Sequence, residues 1–346
     1  MVSQQTNFLF ELPHGSRNFG DDHWRDYDLA IINLWKAAKG ELANWHFAQK
    51  NGSVTIDISW SPVIRRKQRH YRVMQRLEAA LGTSKVDEII REFSHAKIQI
   101  PCTVSIESPK ARTRVSSSFL EYLLYDFFLI MNIAVPGSCN FYGGVIRSKD
   151  QPYDPEISLS SYFFETAHLR SQSNRWPPTK ILPLSSVHKW FFAVRNDVRQ
   201  VPKSRMERVL FGLMQLAIAD VTPTTFIWLF YALETLFDTK AGENSRSLVE
   251  RIKLLLGPND KEFKLLRKNL SELYGVRSAF VHGGLGVIHP MHDETLDPEA
   301  EKTYVRFLEL ADFGFIILLA AVQEVVSKNW TDLRFEETLH GQALQN

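Results

Sequence analysis

From residue 188 onwards the chain repeats one pattern. HKWFFAVRNDV, SRMERVLFGLMQLAIAD, TPTTFIWLFYALETLFD, SRSLVERIKLLLG, KEFKLLRKNLSELYGVRSAFV and PEAEKTYVRFLELADFGFIILLAAVQEVVSKN all carry apolar residues at helical spacing. Ser204, Thr222 and Ser245 stand at starts where a side-chain oxygen can take an orphaned N–H of the first turn. Consecutive helices of this kind predict an all-helical bundle for the second half.

The first half mixes two periods. Val54, Ile56, Ile58 and Trp60 alternate with polar residues, as do Ile98, Ile100, Cys102, Val104 and Ile106, which is the two-residue repeat of half-buried strands. Pro101 cannot donate to a ladder, so its strand is expected at a sheet edge or at a bulge. YRVMQRLEAALG, VDEIIREFSHA and FLEYLLYDFFLIMNI carry helical spacing. The expected fold is therefore two-domain: an α+β domain with antiparallel strands over residues 1–184 and a helical bundle over 185–346, divided where SQSNRWPPTKILPLSS concentrates serine and proline.

Charge and cysteine usage remove several function classes. A formal net charge of only +2 argues against coating nucleic acid by bulk charge, while leaving room for a local basic groove. Cys102 and Cys139 form no CxxC pair, so neither a disulfide framework nor a cysteine zinc site is expected, and a reducing cytoplasm is the simplest location. MVSQQTNFLFELPHG lacks the basic start and long apolar core of a signal peptide. Glu121, Asp126 and Asn132 interrupt FLEYLLYDFFLIMNIAV, and FGFIILLAAVQEVV is too short to span a bilayer, so both are read as buried helices and no membrane partner is expected.

The stretch LYGVRSAFVHGG, residues 273–284, gathers chemistry on one helix end. At about 100° per residue, Leu273, Val276 and Phe280 share a core-facing side, while Arg277, Tyr274, Ser278 and His282 fan across another. Spacing alone proves little, since Arg65 and His70 repeat the separation of Arg277 and His282 elsewhere in the chain. On an intact helix that separation leaves the two side chains about 140° apart, so something must bend for them to share one group. Gly283 and Gly284 can end the helix through a left-handed residue and swing His282 towards Arg277. Gly275 and Ala279 make a small-residue face where another helix, or a phosphodiester backbone, can come close.

These residues resemble the signature of the HEPN superfamily, in which an arginine is followed within two turns by a histidine near the end of a helix in a small bundle. The form is closest to the Apea-like HEPN group, and FYALETLFDTKAGENSRSLVERIKLLLG is similar to the same group, with Glu234 in its "LE" position. The resemblance spans roughly residues 186–335; no family is assigned to the first half. It implies a metal-independent endoribonuclease without a cofactor, with an active site assembled from two copies of the motif across a homodimer. His282 would be general base on a ribose 2′-OH or acid on the leaving 5′-oxygen, roles that suit an imidazole near neutral pH. Arg277 would clamp the phosphate with its bidentate fork, and the product would carry a 2′,3′-cyclic phosphate. Ser278 could orient the imidazole or touch the phosphate; many HEPN nucleases have Asn, Asp or His at this position. Further implications are prokaryotic antiviral defence, abortive infection or a toxin–antitoxin pair, an antitoxin or a phage-derived trigger as partner, and a first domain that senses the trigger or selects RNA. The alternative is a non-catalytic HEPN module that dimerises or binds nucleotide or RNA.

Other candidates stay open at this level. Glu234 either holds Arg277 from a neighbouring helix or faces solvent, and Tyr274 either packs or stacks on a base. HGGLGVIHPMHDE adds His289, His292, Asp293 and Glu294 after His282, but no fixed ligand spacing such as HExxH, so no metal site is assigned. Its glycines follow a helix instead of opening one, unlike a phosphate-cradling loop. IRRKQRHYR interleaves Arg65, Arg66, Lys67, Arg69 and Arg72 with His70 and Tyr71, which fits either an RNA-binding patch or a solvated helix end; Lys110, Arg112 and Arg114 make a weaker patch.

Overall fold

Alternating burial builds the sheet. The computed structural model describes residues 3–13, 24–49, 52–80, 97–108, 113–195, 197–218, 221–239, 245–289, 291 and 295–336. Among these, β1 (Ser3–Leu12), β2 (Asn44–Gln49), β3 (Gly52–Ile58), β4 (Ile98–Glu107), β5 (Gly144–Arg147) and β6 (Glu156–Ile157) form one antiparallel sheet in the order β2-β3-β4-β1-β5-β6. β3 and β4 are the strands that the alternation predicts, with Ile100, Cys102, Val104 and Ile106 buried on one face and Gln99 and Pro101 exposed on the other. Not anticipated from sequence is β1, although Thr6, Phe8, Phe10 and Leu12 are buried with the same two-residue repeat.

The expectation that β4 is an edge strand is overturned. It lies between β3 and β1, and pairs with β1 from Leu12 opposite Ile98 to Ser3 opposite Glu107. Pro101 is tolerated because it sits just beyond Cys102 and Ile58, the last pair of the β3 ladder, so its missing N–H removes no bond inside that ladder. Its carbonyl is still used on that side, accepting from the Ser59 N–H at 3.0 Å.

Helices α1 (Trp24–Glu41), α2 (Ser61–Ala80) and α3 (Thr113–Ala134) belong to the same half. Trp60, expected at the end of a strand, lies past β3, where its ring stacks on Phe127 of α3 at 4.1 Å and its indole N–H donates to Leu42 O at 3.1 Å. By length and composition α3 could cross a bilayer, yet 72% of its apolar window is buried inside the protein. The helix expected over residues 86–96, with Lys110 and Arg112, falls outside the described residues.

The second-half helices appear where the spacing puts them: α5 (Leu184–Val194), α6 (Arg205–Ile218), α7 (Pro223–Leu236), α8 (Ser245–Leu256), α9 (Asp260–Val281) and α10 (Pro298–Ser327), preceded by α4 (Tyr162–Asn174), which the sequence reading does not include. Ser204 Oγ accepts from the Glu207 N–H at 3.1 Å while the Glu207 carboxylate accepts from the Ser204 N–H at 3.0 Å, a reciprocal capping box. The Thr225 hydroxyl accepts from the Thr222 N–H at 3.1 Å, and Ser245 is the first residue of α8. From Leu310 to Val326 nearly every residue of α10 is buried, and this helix touches α3, α4, α5, α7, α8 and α9.

One continuous core crosses the boundary near residue 184, running from Phe8 to Leu333. Gln323 of α10, fully buried, donates from Nε2 to the carbonyls of Ile133 and Lys180 at 2.8 Å each and accepts from the Lys180 N–H at 2.7 Å. Asp126 of α3 meets the buried Arg195 beyond α5 at 3.1 Å, and that guanidinium lies 4.6 Å from the ring centroid of Phe211 in α6. Asp312 of α10 is buried against Arg170 of α4 at 2.8 Å. Burial, reinforced by the negative charge of Glu309 and only partly offset by Arg170, raises the Asp312 pKa to about 6.

Two outcomes follow for stability. Gln323→Leu leaves one N–H and two carbonyls without their partner and should destabilise the chain by about 3 kcal/mol in urea unfolding; a change below about 1 kcal/mol would contradict this role. Asp312 releases its proton near 3.8 when unfolded but only near 6 when folded, so the folded state holds more protons in that window and stability falls as pH rises through it. Asp312→Asn cannot ionise, so wild type should lose about 3 kcal/mol relative to this variant as pH rises from about 3 to about 7 and no more above it, as read by unfolding at each pH.

Candidate functional site

Local sequence fixes both ends of α9. At its start the Asn259 side chain accepts from the N–H groups of Lys261 and Glu262, each at 3.0 Å, and the Glu262 carboxylate returns to the Asn259 N–H at 2.8 Å. At its end Gly283 is left-handed, with φ of +72°. The Gly284 N–H reaches Ala279 O at 2.7 Å and the Gly283 N–H reaches Phe280 O at 3.3 Å, the two bonds of a Schellman motif. Both glycines thus end the helix as the sequence predicts.

The expected swing of His282 does not occur within the chain. Its own N–H still donates to Ser278 O at 3.0 Å, so helical bonding runs through the histidine and the chain turns only at Gly283. Five residues of intact helix keep Arg277 and His282 about 140° apart around the axis. His282 is exposed, Ser278 is half-buried, and the apolar side runs from the buried Leu273 to the half-buried Val276 and Phe280, while Val281, on the side of Arg277 and Tyr274, is exposed.

Arg277 is held in place. Its guanidinium lies 3.7 Å from the Glu234 carboxylate of α7, and 5.6 and 5.9 Å from the ring centroids of Phe230 and Tyr274. Those two rings meet edge to face at 5.8 Å, so Tyr274 packs against α7. Burial raises the Glu234 pKa, and the Arg277 charge opposes that rise without cancelling it. With about a third of its side chain exposed, Arg277 is both anchored and open to a ligand. Phe230 is the partner that sequence reasoning missed; it stands one turn before Glu234 on the same face of α7, the spacing that could have revealed it.

Gly275 is exposed, and a side chain added there would meet no atom within 4 Å. Packing is tight at Gly314 of α10, where a Cβ would press on Leu229 Cδ2 of α7 and come 2.9 Å from Leu273 Cδ1, so α9 sits close on α10 at one face and bare at another.

The remaining candidates lie apart from this helix end. The basic run divides along α2: Arg65, Arg69 and Arg72 are exposed, whereas Arg66, Lys67 and His70 are half-buried and line a cleft with Asp28. His289 Nδ1 accepts from the Met291 N–H at 3.0 Å within its own turn; His292, Asp293 and Glu294 fall outside the described residues. Among the described residues no three His, Cys, Asp or Glu side chains gather as metal ligands. In comparisons with family models, curated proteins and solved structures, the chain matches none.

Gly275 gives this helix its own test. Gly275→Ala meets no clash and should stabilise the chain by about 1 kcal/mol in thermal or urea unfolding, because alanine forms helix better than glycine. Destabilisation would mean that the position is covered within the folded chain.

Proposed function

We propose that the chain is a metal-independent endoribonuclease of the HEPN type, whose active site is completed by a second copy. The carrying observation is the end of α9: Arg277 clamped by Glu234, Phe230 and Tyr274 but still open, and His282 exposed on a Schellman-capped terminus. A straight helix splays the two groups, so one phosphate is gripped by both only if they come from different copies. The uncovered helix face at Gly275 and the exposed Val281, Val287 and Met291 offer that second copy a surface.

In the reaction the ribose 2′-oxygen attacks the adjacent phosphorus and the P–O5′ bond breaks. His282 takes the 2′-OH proton or gives one to the leaving 5′-oxygen, the other proton being exchanged with water. Arg277 neutralises charge building on the non-bridging oxygens, which its two-pronged donor geometry suits. The products are a 2′,3′-cyclic phosphate and a 5′-hydroxyl. Resemblance of the motif extends the proposal to a bacterial or archaeal defence or toxin–antitoxin role in the cytoplasm, with an antitoxin or a phage-derived trigger as partner and residues 1–184 as the sensing or RNA-selecting part.

Arg277→Ala and His282→Ala are each expected to lower RNA cleavage at least about a hundredfold while keeping the wild-type melting temperature. Mixing the two inactive variants should restore part of the activity, since a mixed dimer regains one site with an intact arginine and an intact histidine. Cleavage equal to wild type in both variants would sink the nuclease reading. RNA binding without cleavage in wild type would favour the non-catalytic module.

A further inference from the structure

The cations of α9 gather in its first half and face outward. Lys264, Arg267 and Lys268 are exposed, and at about 100° per residue each falls within about 60° of His282 around the axis. Lys261 is exposed in the turn before them. A further cation comes from another helix: Lys253 of α8 lies over the Phe263 ring at 4.4 Å, and Phe263 stands one turn before Arg267.

Acids do not balance this stretch. Among the described residues no carboxylate comes within ion-pair distance of Lys264, Arg267 or Lys268. Glu272 feels the charge of Lys268, yet its carboxylate is held by Arg306 at 2.6 Å. Glu262 turns back to cap the helix start, which leaves Asp260, in the first turn, as the exposed acid of this half. Lys264 and Lys268 are one turn apart, a like-charge pair that costs helix stability and that a bound polyanion would relieve.

From this cluster to the candidate histidine the helix surface is low. Ser271, Gly275 and Ser278 lie within about 40° of His282, so along that line no side chain longer than serine rises between Lys268 and His282. At Gly275 even an added Cβ would meet nothing within 4 Å. The lane from Lys268 to His282 is about 21 Å long, the reach of several nucleotides of a strand. Val281 lies about 100° away around the helix, so a second copy can meet the helix end without covering the lysines.

We propose that the outer face of the first half of α9 is an RNA track: the strand cut beside His282 continues along the helix, its backbone phosphates on Lys264, Arg267 and Lys268, with Lys253 at the border. The placement of the cut rests on the nuclease reading; the RNA contact does not. Such contacts grip phosphates and read no bases, so the track supplies affinity for a strand of any sequence.

Fluorescence anisotropy of a labelled single-stranded RNA of about 15 nucleotides tests the track, in the His282→Ala background so that the strand stays whole. Lys264→Gln/Arg267→Gln/Lys268→Gln should weaken binding at least about tenfold at physiological salt and make the fall of log K with log salt shallower by about 2, equally for two strands of unrelated sequence. Removing the same charge from exposed lysines elsewhere, by Lys36→Gln/Lys39→Gln/Lys189→Gln, should change neither quantity. Melting curves confirm that both triple variants are folded. Absence of RNA binding, binding that survives the α9 substitutions, equal weakening by the distant ones, or poly-glutamate bound as tightly as RNA overturns the proposal. RNA binding that depends on the three cations while the wild-type chain cuts no RNA removes the nuclease reading alone and supports α9 as an RNA-binding surface.

Discussion

The arrangement depends on one buried amide. Gln323 makes three hydrogen bonds with no exposure to solvent, and its partners lie in α3 and in the segment between α4 and α5. A neutral amide suits this place because a charge buried there would carry a large desolvation penalty, whereas an apolar residue would orphan three backbone groups. The bond fixes α10 against the sheet half, and α10 in turn carries α7 and α9. The orientation of Arg277 is thus inherited from contacts far from it.

At the candidate site the sequence writes rigidity where catalysis would want it. A capping box starts α9, a Schellman motif stops it, and Gly314 lets Leu273 settle against α10. What remains open is the outer face, from Gly275 to His282. A fixed inner face with a bare outer one is the physical basis for reading this end as half of a shared site.

The helices from residue 184 were legible because each buries one stripe and several announce their ends with Ser204, Thr222 or Gly283. The alternation in β3 and β4 was equally plain. Sheet order was not, since Pro101 forbids a ladder bond only where a neighbour reaches it and sequence does not say where the neighbour ends. The shared core was hidden for a related reason: Gln323 and Ile133 are 190 residues apart, and nothing local marks them as partners. At the site, Arg277, His282 and Glu234 could be named from the motif, whereas the helical bonding that reaches the His282 N–H and the ring of Phe230 could be seen only in the folded chain.

The place of β1 in the sheet bears on how the chain reaches this state. It is a central strand, paired on one side with residues 98–107 and on the other with residues 145–147. Each pairing closes a long loop before any ladder bond compensates the lost chain entropy, which slows folding. Until both partners arrive, β1 has two unsatisfied edges and an apolar row from Phe8 to Leu12, the combination that invites pairing with other chains. Assembly of the sheet half is therefore expected to be the slow, aggregation-exposed step, together with the docking of α10, while α6 with α7 and α8 with α9 pair from nearby contacts.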